Sequence, residues 1–125
     1  MNFPADLRYT KDHEWIKADG DEYIIGITDF AQHELGDIVY VDVSAVGNTL
    51  SAGEVFGTVE AVKTVSDLFM PVDGKVLGVN ESLNAAPESV NNDPYGNGWL
   101  IRVKVANTDQ VNGLLTSEQY KALVD

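Results

Sequence analysis

Apolar residues occur along this chain in short runs broken at close intervals by turn chemistry, a spacing that predicts many short strands. Glu14-Trp15-Ile16-Lys17 reads as a first strand, Asp19-Gly20 as a tight hairpin turn, and Glu22 to Ile27 as the returning strand. Thr28 or Asp29 then caps a short helix, Asp29 to Leu35. Gly36 follows where a helix C-terminus favours glycine. Asp37 to Val43 is apolar and β-branched, hence strand, and Val46-Gly47-Asn48 turns the chain again.

From Glu54 onward Val55, Gly57, Val59 and Ala61 alternate with Glu54, Phe56, Thr58 and Glu60, a period of two. Thr64 to Met70 is β-rich, Pro71 to Gly74 is a turn, and Lys75 to Val79 is strand again. Glu81 to Glu88 reads as a short helical or irregular excursion. Asn91 to Gly98 is turn chemistry, and Trp99 to Val105 is a strand. Ser117 stands as N-cap of a last helix reaching Val124, with Leu114, Leu115, Tyr120 and Leu123 as its apolar set. No βαβ alternation occurs, so a parallel nucleotide-binding sheet is not expected. The reading is one domain over residues 1–125, mainly β, with short helices at its margins and a C-terminal helix over about 117–124.

Composition narrows the function classes. Twenty acidic residues against eight basic ones give a formal net charge of −12, which repels nucleic-acid phosphates and anionic membrane surfaces. No segment approaches the ~20 apolar residues of a membrane span. Self-repulsion favours a monomer that meets basic patches on its partners. There are no cysteines, so disulfides, thiolate metal sites and cysteine nucleophiles are excluded. Residues Met1 to Arg8 lack signal or transit character, and the chain reads as cytoplasmic, bacterial or a mature mitochondrial form.

The candidate chemistry is sparse. His13 and His33 have no metal-binding spacing, and Asn91-Asn92-Asp93 lacks the glycine and distal glutamate of a calcium loop, so no metal is expected. No nucleophile elbow, phosphate loop or dinucleotide fingerprint is present, and no catalytic set stands out. Lys63 remains. It lies in an uncharged run, Ala61-Val62-Lys63-Thr64-Val65. Two conformations compete. Glu60 to Lys63 forms a helical turn with an i,i+3 ion pair, or Val62-Lys63 is the tip of a tight hairpin. The flanking period of two favours the hairpin, and the missing Gly or Asn counts against it. A lysine at such a tip is open to acylation, which removes its charge and lengthens a flexible stem.

At this point the sequence resembles a known family. Gly57 to Asp67 (Gly-Thr-Val-Glu-Ala-Val-Lys-Thr-Val-Ser-Asp), followed by Pro71-Val72-Asp73-Gly74, resembles the lipoyl-lysine segment of the glycine cleavage system H proteins. His13-Glu14-Trp15, Gly26 to Gln32, Leu35 to Val39, and Asp93-Pro94-Tyr95-Gly96 with Gly98-Trp99-Leu100 are similar to further blocks of that family. The resemblance covers about Tyr9 to Leu123. It implies a flattened antiparallel β-barrel or sandwich of the lipoyl/biotinyl-carrier type, with lipoate attached covalently to Lys63. It also implies a non-catalytic carrier. A pyridoxal-phosphate glycine decarboxylase loads an aminomethyl group onto the arm. A tetrahydrofolate-dependent aminomethyltransferase unloads it, and a flavin-dependent dihydrolipoyl dehydrogenase reoxidises the arm. A lipoyl/octanoyl transferase or lipoate ligase attaches the group.

A loaded arm carries a basic amine, and acidic groups that receive it would stabilise it. Glu14 and Asp67 lie in the matching blocks and are the candidates; the competing reading makes both ordinary surface carboxylates. Asp12 stands where the family commonly has Ser, which puts a hydroxyl role there in doubt. Gly74 and Trp99 read as fold residues, Gly74 for a positive-φ turn and Trp99 as an apolar core anchor. Two other jobs compete on the same scaffold: a relay passing lipoate to other complexes, and an unmodified binding domain. Lipoyl transfer to an acceptor domain would mark the first, and an unchanged intact mass the second.

Overall fold

Nine antiparallel strands in two sheets make up the computed structural model, which describes Met1–Asp125. Strands β1 (Arg8–Tyr9), β2 (Glu14–Asp19), β3 (Glu22–Ile27), β5 (Thr49–Leu50), β8 (Gly74–Val79) and β9 (Ile101–Val105) form one sheet in the order β1-β2-β3-β9-β8-β5. Strands β4 (Ile38–Val43), β6 (Val55–Ala61) and β7 (Val65–Phe69) form the other, in the order β4-β6-β7. Four short helices lie at the margins: α1 (Asp29–Leu35), α2 (Ser89–Asn92), α3 (Asp109–Asn112) and α4 (Ser117–Val124). A 3₁₀ turn spans Glu81–Asn84.

The core lies between the sheets. Ile16, Ile25 and Ile27 from the large sheet join Val41, Phe56, Val59 and Leu68 from the small one in a single buried cluster. On the other face of β2 and β3, a second cluster gathers Leu7, Tyr9, Trp15 and Tyr120. Both faces of β2 are therefore covered, which is why Glu14, Trp15 and Ile16 are buried in succession. Gly26 makes room for this second layer: a Cβ there would lie 2.7 Å from the Trp15 ring.

Most predicted elements are present, with local corrections. The first hairpin uses Gly20 as the first of two central residues, with φ 68°, so the glycine supplies a positive φ ahead of Asp21. Thr28, not Asp29, caps α1, its hydroxyl accepting from the Ala31 N–H at 3.1 Å. The cap of α4 is Thr116 rather than Ser117, in a reciprocal capping box with Gln119. Leu123, placed in the apolar set of that helix, is 54% exposed. A register shift between Val55 and Gly57 inverts the expected alternation at the start of β6. Phe56 turns into the core and Val55 out to solvent. Gly74 has no positive φ; it is needed because a Cβ would meet the Lys104 carbonyl oxygen at 2.6 Å. Trp99 is only partly buried and lies under the Arg102 guanidinium, whereas Trp15 is the fully buried anchor. Asn91 and Asn92 end α2 instead of belonging wholly to a turn.

Candidate functional site

Ala61 and Thr64 close the turn between β6 and β7: the Ala61 N–H donates to the Thr64 carbonyl at 2.8 Å, leaving Val62 and Lys63 as the two tip residues. The hairpin reading of Lys63 is the one the structure bears out. Neither tip residue has a positive φ, which explains the absence of Gly or Asn. Turns of that hand splay their strands, and the Val62 N–H is tied instead to the Asp37 carbonyl at 3.0 Å. Val62 is 76% exposed, Lys63 is exposed, and Lys63 takes part in no ion pair.

The stem of Lys63 lies over the end of α1. A Cβ on Gly36 would approach Lys63 Cε to 3.4 Å, and Gly36 itself has φ 81° and ψ −156°, a conformation suited to glycine. Asn91 seats this segment. Its amide nitrogen donates to the Gly36 carbonyl at 2.8 Å and to Gln32 Oε1 at 3.0 Å, and its Oδ1 accepts from the Ile38 N–H at 2.9 Å.

A cleft of about 290 Å³ opens beside the same end of α1. Ile27, Phe30, Leu35, Val59 and Leu68 supply its apolar walls; Asp12, His13, Glu14, Glu34, Ser66 and Asp67 supply polar groups. The two carboxylates singled out from sequence thus share one cleft. They are not alike. Asp67 is exposed on β7, cross-strand from Thr58. Glu14 is 2% exposed, so the reading of it as a surface carboxylate fails. Its Oε1 accepts from the Thr10 hydroxyl at 2.8 Å and its Oε2 from the Phe69 N–H at 3.3 Å. Burial outweighs these two bonds and pushes the Glu14 carboxyl up to about 8. Glu14 also borders a second cleft of about 430 Å³ on the side of Tyr9, Lys11, Met70 and Leu115. Asp12 is exposed at the rim of both.

Sequence reasoning gave no site role to His13, Thr10, Gly36 or Asn91. His13 had a usable signal, since it adjoins Glu14 directly. The burial of Glu14 was legible too, because period two places it on the face of Ile16. Gly36 and Asn91 act through distant partners that no local pattern announces.

A two-sheet antiparallel scaffold with short peripheral helices, presenting one lysine at an exposed turn, defines a carrier-type barrel-sandwich. Comparison with known proteins gives the family. The glycine cleavage H-protein family model matches residues 7–125. The glycine cleavage system H protein of Bacteroides thetaiotaomicron is 57% identical over 125 residues, covering 100% of this chain and 99% of that one. That of Chlorobium phaeobacteroides is 59% identical over 126 residues, covering 99% and 98%. The crystal structure of a glycine cleavage system H protein from Mycobacterium marinum superposes with a TM-score of 0.86 at 44% identity, covering 96% of this chain and 97% of that one. The chain belongs to the glycine cleavage H-protein family.

Proposed function

We propose that this protein is the lipoyl-lysine carrier of a glycine cleavage system, with lipoate in amide linkage to Lys63 and no catalysis of its own. The observation that carries this reading is a lone, unpaired lysine on an exposed two-residue turn, its stem against Gly36 next to the lining residue Leu35 of an acidic cleft, in a chain that matches the H-protein family over residues 7–125. The residues present fit such a group. Lys63 is accessible to a modifying enzyme, and its stem lies against a glycine that offers no side chain to obstruct it. When attached, the lipoyl group would supply a disulfide that opens to take the aminomethyl group on one sulfur, and, after unloading, a dithiol that the flavin enzyme reoxidises.

The chain's own residues do the rest. Ile27, Leu35, Val59 and Leu68 exclude water from the cleft, and Glu14 and Asp67 receive a cationic amine there. Glu14 is largely protonated near neutral pH in the free cleft, because its carboxyl is pushed up to about 8. An ammonium beside it favours the carboxylate, so entry of the amine is coupled to release of a proton from Glu14. The partners are a pyridoxal-phosphate decarboxylase that loads the arm, a tetrahydrofolate-dependent aminomethyltransferase that unloads it, a flavin dehydrogenase that reoxidises it, and a lipoyl or octanoyl transferase or a lipoate ligase.

Intact-mass measurement tests the reading. Protein co-expressed with lipoylation enzymes is expected to gain one lipoyl group, and Lys63→Arg to gain none. In lipoylated, loaded protein, Glu14→Ala and Asp67→Ala are expected to shorten retention of the cargo amine. An unchanged mass in the parent chain sinks the carrier assignment; unchanged retention sinks the role of the two acids.

A further inference from the structure

His13 and Tyr120 are 107 positions apart, yet His13 Nδ1 lies 2.8 Å from the Tyr120 hydroxyl. That hydroxyl lies 2.7 Å from Thr28 Oγ1. Thr28 Oγ1 already accepts from the Ala31 N–H at 3.1 Å, as the cap of α1. Thr28 and Tyr120 are both 0% exposed, so water does not complete their bonding.

The direction of the chain follows from counting protons. The Thr28 hydroxyl has one proton to place, and the one side-chain oxygen bonded to it is that of Tyr120. Thr28 therefore donates to Tyr120. Tyr120 then has one acceptor for its own proton, His13 Nδ1. His13 is left with its proton on Nε2. The reverse order, with His13 Nδ1–H donating to Tyr120 and Tyr120 to Thr28, strands the Thr28 proton in a buried site without an acceptor. A doubly protonated His13 strands a proton in the same way.

The backbone reinforces this arrangement. His13 is the one non-glycine residue with a positive φ, 70°. Its N–H donates to the Thr10 carbonyl at 3.1 Å, and its carbonyl accepts from the Thr28 N–H at 3.0 Å. Thr28 thus grips His13 twice, once directly through the backbone and once through Tyr120. The His13 ring is tilted against Phe30 at 4.8 Å and lines the cleft beside Glu14.

We propose that Tyr120, on the C-terminal helix, is a positioning residue that holds His13 as the neutral Nε2–H tautomer, so that the cleft beside Lys63 receives an external cation instead of generating one. The setting explains the need. Asp12 and Glu34 face His13 and favour its protonation. Glu14 follows it in the chain and Asp67 lines the same cleft, while Tyr120 and Thr28 hold the ring on its Nδ1 side. An imidazolium here would pair with these carboxyl groups and cancel the field that attracts an amine. Burial works with Tyr120, lowering the His13 pKa against the pull of Asp12 and Glu34. The identity of the cation rests on the carrier reading; the tautomer does not.

Nitrogen-15 NMR of the histidine-labelled, unmodified chain tests this. His13 is expected to show an unprotonated Nδ1 and a protonated Nε2, and to titrate below the ordinary histidine value. In Tyr120→Phe, which keeps the buried ring, the His13 midpoint is expected to rise by about one unit. In lipoylated, loaded protein the acid limb of cargo retention is expected to rise with it. A His13 carrying its proton on Nδ1 in the parent chain overturns the proposal, and that measurement needs no variant. A Tyr120→Phe chain whose His13 midpoint and acid limb do not move overturns it as well. Failure of the carrier reading shows separately, as absence of lipoyl at Lys63, and leaves the tautomer measurement to decide.

Discussion

Glu14 is a carboxyl group placed where its charge is costly. It is nearly sealed from water, and its two hydrogen bonds, from Thr10 and Phe69, do not offset the loss of solvation. The folded chain therefore binds the Glu14 proton more tightly than the unfolded chain, with the pKa raised from 4.5 to about 8. The sign of the linkage follows. Below about 4.5 both states hold the proton, and the fold has its full contribution from this group. As pH rises through that value the unfolded chain ionises first, and stability falls until the folded group ionises near 8. Denaturation midpoints of the parent chain are expected to decline between these limits, by on the order of a few kcal/mol from this group. Glu14→Gln, which keeps the shape and cannot ionise, is expected to flatten that decline. Parallel pH profiles for the two chains would show that Glu14 ionises alike in both states. The period-two pattern of β2 assigned Glu14 to the face of Ile16, so its inward direction was readable from sequence. The depth of its burial was not, because that depends on β7 closing over it through Phe69.

Among the elements, those dictated by local chemistry were legible and those dictated by distant partners were not. The β2–β3 hairpin, α1 with Thr28 and Gly36 at its ends, β4 and β8 follow from periodicity and turn residues. The two-residue strands β1 and β5 carry no pattern of their own and exist through pairing with β2 and β8. The register shift in β6 was invisible because it serves the packing of Phe56 between the sheets. The Lys63 turn lies between these cases. Alternation on its β6 side suggested a hairpin, but its conformation depends on the Asp37 carbonyl, which precedes β4. The end of α1 therefore helps to build the site. Gly36→Ala is expected to be destabilising by about 1–2 kcal/mol, since alanine is strained at φ 81°. Its Cβ would also press on the Lys63 stem at 3.4 Å. Urea denaturation checks the first effect. The second is checked by the rate of lipoylation under conditions where the variant is fully folded, expected to be lower than in the parent chain. Loss of stability with an unchanged rate would confine Gly36 to a helix-capping role.

At the scale of the molecule, charge and position converge on the small sheet. None of the eight basic residues except Lys63 lies on β4, β6, β7 or the turn that joins β6 to β7. Asp42, Glu60 and Asp67 are exposed there, with Asp37 and Glu34 nearby. Tyr40, Glu60 and Val65 form one cross-strand row, and Tyr40 and Val65 are 52% and 61% exposed. The face around Lys63 thus offers apolar side chains within a field of one sign, and acylation of Lys63 would remove its only cation. A carrier that serves several enzymes needs fast encounters and weak complexes, and long-range attraction raises the first without deepening the second. Screening at physiological salt sets in over about 8 Å, so the steering, unlike the close apolar contact, depends on ionic strength. The apparent KM of the decarboxylase for the lipoylated chain is therefore expected to rise several-fold between low and physiological salt, with kcat nearly unchanged. Asp42→Asn with Glu60→Gln is expected to raise that KM at low salt and to reduce its salt dependence. These acids lie outside the cleft, so cargo retention on the isolated carrier should be the same in the double variant as in the parent. A KM indifferent to salt would move recognition from the field of the small sheet to the apolar row alone.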